Sequence, residues 1–464
     1  MTNFKTFVKE NNLSKNRHQK RGVKWILKRE TREECPQGIR GGLIADEMGL
    51  GKTIQILGAM YSNPVKRTLI VLPNALLEQW CKTIKGLLKT EPLLFHGPIV
   101  KNITKKMVKA HPIVVTTYGM VAQNNALLRK IKWSRAIFDE AHHLRNNQTK
   151  AHKYAVALKR KITWLMTGTP IQNKRSDFYA LCKVLGLSEN YYLKDENMSE
   201  ISKCFILKRT LKEVGIELPQ LHQHTTVVKW KSERELDFAK GLHSLLGFSG
   251  VSGTINSRSI VEQFNQCPLS TLLRARQMCI YPEMVQKKIE DMITKGIIPE
   301  ENIDISSNSK INAVVEQIDG NRNGRCKLVF CHFRSEIDVL AKKLGEKKFS
   351  VCTFDGRCSA ADREIIMQSS PDVLILQVQT CCEGLNLQQF KEVYFVSPHW
   401  NPAVEDQAVA RSHRIGQTED VHVYRFKMDS FDQDQDDMTI EDYASQLQKK
   451  KRGLIDDLNY KCNN

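Results

Sequence analysis

The sequence predicts an α/β protein of two lobes, each built on a parallel sheet, with a helical section between them. Three observations carry that prediction. Residues 1–225 alternate short apolar runs with amphipathic helical stretches, the same rhythm returns beyond residue 310, and the intervening 231–309 is helix-like and poor in strand signals. Strand–helix alternation argues for a parallel sheet covered on both faces. At about 150 residues per domain, 464 residues make two to three domains with ample core.

In the first lobe the runs 42–45, 68–72, 112–116, 136–138 and 162–166 predict buried strands, and residues 74–88 place Leu, Trp and Ile at helical spacing. A parallel sheet binds its ligands at the carboxyl ends of its strands. In the second lobe the runs 327–330, 349–352, 372–376, 392–396 and 421–424 predict strands, with a helix over 336–344. The Gly/Ser-rich stretch 247–253 reads as an exposed loop. No short-period repeat is present. The expected organisation is an N-terminal α/β lobe at 1–228, a helical insertion or linker at 229–309, a C-terminal lobe at 310–428 and a charged tail at 429–464. Within that tail 429–442 is acidic, while the basic run at 449–452 reads as a nuclear-import signal or as a solvated helix end.

Composition narrows the class. An apolar fraction of 41% is ordinary for a globular chain and favours neither disorder nor a membrane protein. There is no apolar run near the ~18 residues of a spanning helix, and the opening MTNFKTFVKE lacks the apolar core of a signal peptide. An intracellular protein is expected. The 13 cysteines are scattered with no C-x-x-C pair, which argues against a disulfide framework, a zinc ribbon or a RING. Cys326, Cys331 and His332 form the nearest metal-like cluster, but they sit in an apolar strand pattern and read as structural.

Charge points to a partner. The chain carries 70 Lys and Arg against 51 Asp and Glu, a net +19. Residues 92–176 alone hold 16 Lys and Arg with two acids, Asp139 and Glu140, and so contribute +14 of it. A basic surface of this kind suits a polyanion, since each phosphate it neutralises releases bound counterions. An ordinary solvated face is the alternative on charge alone.

Three strings carry chemistry. The run GGLIADEMGLGKT at 41–53 follows strand residues and opens a helix. As a nucleotide loop, Gly49 and Gly51 would let the backbone wrap closely around phosphates, Lys52 would reach the β and γ phosphates and the Thr53 hydroxyl would bind Mg²⁺; an incidental glycine-rich turn is the alternative. The strict G-x-x-x-x-G-K-T pattern fails because Asp46 stands at the first glycine. At Asp139-Glu140-Ala141-His142, a carboxylate at a strand end can hold the Mg²⁺ that a nucleotide brings, and its neighbour can orient and deprotonate the attacking water. A plain helix start is the alternative. In QAVARSHRIGQ at 407–417, Arg411 and Arg414 are three apart on one expected helix face, where two guanidinium groups can meet charge on a γ phosphate, with an ordinary surface helix as the alternative.

In this order the strings resemble the superfamily-two helicase-like ATPases, and within them the SWI/SNF-type chromatin-remodelling family, over nearly the whole chain from Leu13 to Phe426. LSKNRHQKRGVKW at 13–25 resembles the family's Q motif, with Gln19 reading adenine. DEMGLGKT at 46–53 is similar to its own Walker A loop, DEAHHLRN at 139–146 to its DEAH-box motif II, and LMTGTPIQN at 165–173 to motif III. ILKRTLK at 206–212 resembles its exit from the first lobe, LRARQMCIYP at 273–282 its "LRQ…HP" helix, and PHWNP at 398–402 with Arg411 to Gln417 its "WNP…R.HRIGQ" signature. Motif V reads TCCEGLNL at 380–387, where Cys381 and Cys382 depart from the family's pattern.

The resemblance implies two RecA-like lobes with parallel sheets, joined by a helical section, and ATP with Mg²⁺ as cofactors. It places Gln19, Asp46, Glu47, Met48, Gly49, Leu50, Gly51, Lys52, Thr53, Gly384 and Gln407 at the nucleotide, and Thr53 and Asp139 at the metal. Glu140 is the implied general base, with Lys52, Arg411 and Arg414 completing the catalytic set. The implied activity is an ATP-driven translocase or remodeller on duplex DNA or protein–DNA complexes, with DNA-bound proteins or a recruiting factor as partners and the nucleus or a viral replication or transcription compartment as its place, the cytoplasm being the alternative. A strand-separating DNA or RNA helicase and an inactive nucleic-acid scaffold are the rival readings. Nothing implies a ubiquitin-ligase or histone-reader domain.

Overall fold

The computed structural model describes residues 2–32, 36–168, 175–248, 261–262, 264, 267–297, 305–358, 360–378, 386–431 and 437–463. The chain divides into two compact units, 1–217 with 451–464, and 218–450.

The first unit holds a seven-stranded parallel sheet. Its strands are β1 (Arg40–Ile44), β2 (Thr68–Leu72), β3 (Leu93–Phe95), β4 (Ile113–Thr117), β5 (Trp133–Asp139), β6 (Arg160–Met166) and β7 (Ile206–Leu207), in the order β3-β4-β2-β5-β6-β1-β7. All five expected strands are present. Side chains alternate across the sheet, so each strand feeds two cores. Ile44, Ile70, Leu72 and Ile137 pack with Phe7, Ile26 and Trp80 under helices α1 (Thr2–Glu10), α2 (Arg17–Thr31), α3 (Lys52–Ser62) and α4 (Leu77–Leu88). Leu43, Leu69, Val71 and Phe138 pack on the opposite face with Trp133, Leu181 and Phe205.

Within this unit Glu30 is a buried hub. Its carboxylate accepts from Arg135 Nε at 2.7 Å and Nη2, from Trp164 Nε1 at 2.7 Å and from Asn63 Nδ2 at 2.7 Å. Arg135 is therefore no part of a basic surface. Arg160 is likewise turned inward, onto the carbonyls of Ala155, Leu158 and Val184. Among the described residues of 92–176, twelve of the fifteen Lys and Arg are nonetheless exposed, which preserves most of the expected charge.

The second unit holds a six-stranded parallel sheet of β8 (Leu221–Val228), β9 (Cys326–Cys331), β10 (Val351–Phe354), β11 (Val373–Gln377), β12 (Phe390–Phe395) and β13 (Val421–Met428), ordered β10-β11-β9-β12-β13-β8. The expected lobe boundary at 228 is displaced, because β8 pairs in parallel with all of β13. Its sequence, LHQHTTVV, lies half in solvent at the sheet edge and offers no apolar run to read.

The helical section is a core component of this unit rather than a linker. Phe238, Leu242, Met278, Val285 and Ile289 share one apolar cluster with Val329, Ile375 and Tyr394 of the sheet. The acidic segment is also built in. Glu441, buried, pairs with the buried Lys310, and Asp442 accepts from Lys427 at 2.9 Å and Thr439 Oγ1 at 2.7 Å. Cys331 is fully buried in the same core and no metal-holding group of three or more ligands occurs among the described residues. No helix among them is long and apolar enough to cross a membrane.

His243 gives this unit a pH dependence. Its Nδ1–H donates to Ala239 O at 2.7 Å and its Nε2 accepts from Ile440 N at 3.0 Å, so the fold requires the neutral ring. Burial depresses its pKa to about 4. Between about pH 6.5 and 4 the unfolded chain binds the proton that the folded one refuses, so this stabilisation is present above 6.5 and lost as pH falls through 4. Thermal unfolding of the second unit is expected to lose roughly 3 kcal/mol over that window. His243→Gln is expected to flatten the profile, and an unchanged acid slope in that variant would refute the assignment.

Candidate nucleotide and phosphate site

The loop between β1 and α3 turns at two glycines with left-handed backbone, Gly49 (φ +90°) and Gly51 (φ +75°), and Gly51 caps α3. The left-handed backbone at Gly51 strains any other residue there, and Gln19 packs over it, its Nε2 2.5 Å from where a Cβ would stand. That close approach puts the expected adenine reader of α2 against the phosphate loop. Neighbouring His18 places Nε2 3.1 Å from Leu50 O. Lys52 Nζ donates to Asp46 O at 2.7 Å, and Thr53 follows in the first turn of α3, where N–H groups have no helical partner.

Not every residue of the expected nucleotide set faces outward. Asp46 is fully buried and its carboxylate accepts from Arg209 Nε at 2.9 Å and Gln55 Nε2 at 3.0 Å. Glu47 Oε2 accepts from Leu211 N at 2.7 Å, and Leu50 is buried. Met48 Cγ lies 3.2 Å from where a Cβ on Gly168 would sit, so Gly168, two residues beyond β6, lets the segment after that strand approach the loop.

Asp139 ends β5, and Glu140 follows with φ +48°, a conformation rarely held by a non-glycine residue. Asp139 Oδ2 accepts from Trp80 Nε1 at 2.8 Å and Oδ1 from Glu140 N at 3.0 Å, while its backbone oxygen accepts from Tyr118 OH at 2.6 Å. Glu140 Oε2 stands 3.3 Å from His142 Nδ1. Burial, with the adjacent Glu140 charge second, pushes the Asp139 pKa up to about 7, against the opposing pull of its hydrogen bonds and of Lys52. Two crowded carboxylates beside a phosphate-type loop are the donor set a hard divalent cation would neutralise, so the residues fit Mg²⁺ with a nucleotide. Trp80 and Tyr118 were not foreseen as partners of this site. The only available signal was a Trp in the helix following β2.

In the second unit, helix Pro402–Ser412 starts at Asn401, whose side chain accepts from Ala403 N, and holds Gln407 buried. The single helix face expected for Arg411 and Arg414 is not formed. The helix stops at Ser412, and the chain turns through Gly416 (φ +98°), pinned by Gln417 Nε2 donating to Ser412 O and Gln388 O at 3.0 Å. The two guanidinium groups still sense each other: burial and then the Arg411 charge lower the Arg414 pKa. Gly384, Cys381, Cys382 and 169–173 lie outside the described residues. Asn386 is exposed.

Comparison with known proteins agrees with the motif order. Residues 18–284 match the SNF2-related domain and 309–416 the helicase conserved C-terminal domain. The chain is 26% identical to a DNA excision repair protein ERCC-6-like of Danio rerio over 88% of its length and 34% of that protein's. It is 28% identical to an uncharacterised ATP-dependent helicase of Mycoplasma genitalium over 96% of this chain and 42% of that one. It is 27% identical to a probable global transactivator of Orgyia pseudotsugata multicapsid polyhedrosis virus, covering 94% of this chain and 90% of that one. The chain thus spans less than half of the first two relatives and nine-tenths of the viral one.

Proposed function

This chain belongs to the SNF2-related family, and from that premise we propose that it is a DNA-dependent ATPase that moves along duplex DNA and remodels protein–DNA complexes. The observation that carries the reading is the meeting, in one unit, of the Gly49–Gly51–Lys52 loop with Asp139 and Glu140, whose charges act on one another. Lys52 and the first N–H groups of α3 hold phosphate oxygens, and Gln19 lies against the loop to read the base. Thr53 and Asp139 hold the divalent cation, which when bound neutralises phosphate charge. Glu140 orients the attacking water and takes its proton. Arg411 and Arg414 are the second unit's cations for phosphate. Gly384 and Gln407 are retained as nucleotide contacts, and the twelve exposed cations of 92–176 as contacts to the DNA backbone. The partners are duplex DNA and proteins bound to it, in a nucleus or a viral replication compartment.

The test is the ATPase rate with duplex DNA, single-stranded DNA, RNA and no nucleic acid. Duplex DNA is expected to stimulate most, and stimulation by RNA alone would overturn the proposal. Binding is expected to show little sequence preference and a steep salt dependence. If about six phosphates are neutralised, the slope of log affinity on log salt is near −5. A slope shallower than about −2 would remove the basic segment from the DNA contact.

A further inference from the structure

Arg209, just beyond β7, joins three segments of the first unit. Its Nε donates to Asp46 Oδ1 at 2.9 Å, Nη2 to Asp46 Oδ2 and to Gln55 Oε1 at 2.8 Å, and Nη1 to His18 O at 2.6 Å. One guanidinium thus reaches the phosphate loop, helix α3 behind it and helix α2 with Gln19. The main chain repeats the connection. Ala45 N donates to Leu207 O at 2.7 Å, Glu47 N to Arg209 O at 2.9 Å, and Leu211 N to Glu47 Oε2 at 2.7 Å. Residues 45–47 are therefore held along an extension of the β1–β7 pairing, and the wrap around phosphate is left to 48–51.

Two further features belong to this arrangement. Asp46 stands where the strict phosphate-loop pattern has glycine, and a fully buried carboxylate is tolerable there only because both oxygens are engaged. Gly22 of α2 leaves the space: a Cβ there would come within 1.8 Å of Gln55 Oε1 and 2.9 Å of Arg209 Nη2.

We infer that Arg209 is a positioning residue for nucleotide binding. It sets the shape of the loop through Asp46 and Gln55 and holds Gln19's helix against that loop through His18. Arg209 touches no nucleotide in this role. Lysine cannot substitute, because a single ammonium does not span three partners with fork geometry. The inference deepens the ATPase reading above and rests on it.

The test uses the full chain and a fluorescent N-methylanthraniloyl-ADP probe, with ATP kinetics and thermal midpoints measured alongside. Arg209→Lys is expected to weaken probe binding and raise KM for ATP by at least about tenfold, with a much smaller change in kcat at saturation. Arg209→Met alone leaves the Asp46 charge buried and lowers the midpoint, so the double variant Asp46→Asn with Arg209→Met serves as the control. It is expected to regain the midpoint while keeping the weak affinity. Gly22→Ala, with Arg209 and Asp46 intact, is expected to show the same loss of affinity. Affinity returning together with the midpoint in the double variant, or wild-type affinity in Arg209→Lys, overturns the inference alone. A wild-type chain that binds no probe overturns the nucleotide reading and this inference with it.

Discussion

Glu140→Gln is expected to slow ATP turnover by about 10²–10⁴-fold while leaving nucleotide affinity within a few-fold of the wild type. The amide keeps the size of the side chain but cannot accept the proton of an attacking water. The left-handed backbone at Glu140 is fixed by the chain on both sides, through Asp139 at the end of β5 and the turn at Ala141–Leu144, so the substitution leaves the loop in place. Removing one of two crowded charges also lets Asp139 ionise more readily, which favours cation binding. Affinity and rate should therefore separate. Single-turnover ATP hydrolysis with parallel measurement of probe affinity checks this. A variant retaining a third or more of the wild-type rate would remove Glu140 from the role of base.

Glu30→Ala is expected to destabilise the first unit by about 3–5 kcal/mol. Glu30 and Arg135 are buried against each other, and truncating the acid strands a guanidinium inside the protein together with the Trp164 indole N–H. The double variant Glu30→Met with Arg135→Met removes both charges and is expected to recover much of the loss, since an apolar pair of similar volume replaces an ion pair at little cost. Denaturant unfolding followed by tryptophan fluorescence reads both, with Trp133 and Trp164 buried in this unit. A loss below about 1 kcal/mol in the single variant would show that the pair is a passenger.

Strand positions were legible wherever the sheet is covered on both faces. Runs such as Thr68–Leu72 and Ile113–Thr117 are buried at every position and read as strands without help. Leu93–Phe95 and Ile206–Leu207 are too short to signal, and Leu221–Val228 is too polar. The lobe boundary moved for that last reason. The glycine-rich loop proposed for phosphate and the Asp139–Glu140 pair stand out in the sequence because their chemistry is local: two glycines, a lysine and adjacent carboxylates at element ends. What surrounds them was not. Trp80 is 59 residues from Asp139, and Arg209 is 163 from Asp46, and no periodicity links residues so far apart.

The sequence by itself determined the α/β class, two parallel sheets, the order of the motifs and a basic first lobe, because each follows from residue type at short range. Tertiary structure decided the rest. It turned Arg135 from a surface charge into a buried strut and Arg160 into a half-buried one, drew the helical section and the acidic segment into the second core, and ended the helix before Arg414. It also matched the buried Asp46 to a distant arginine. A charge tolerates burial only beside a specific partner, and which residue becomes that partner is set when the sheet brings its strands together.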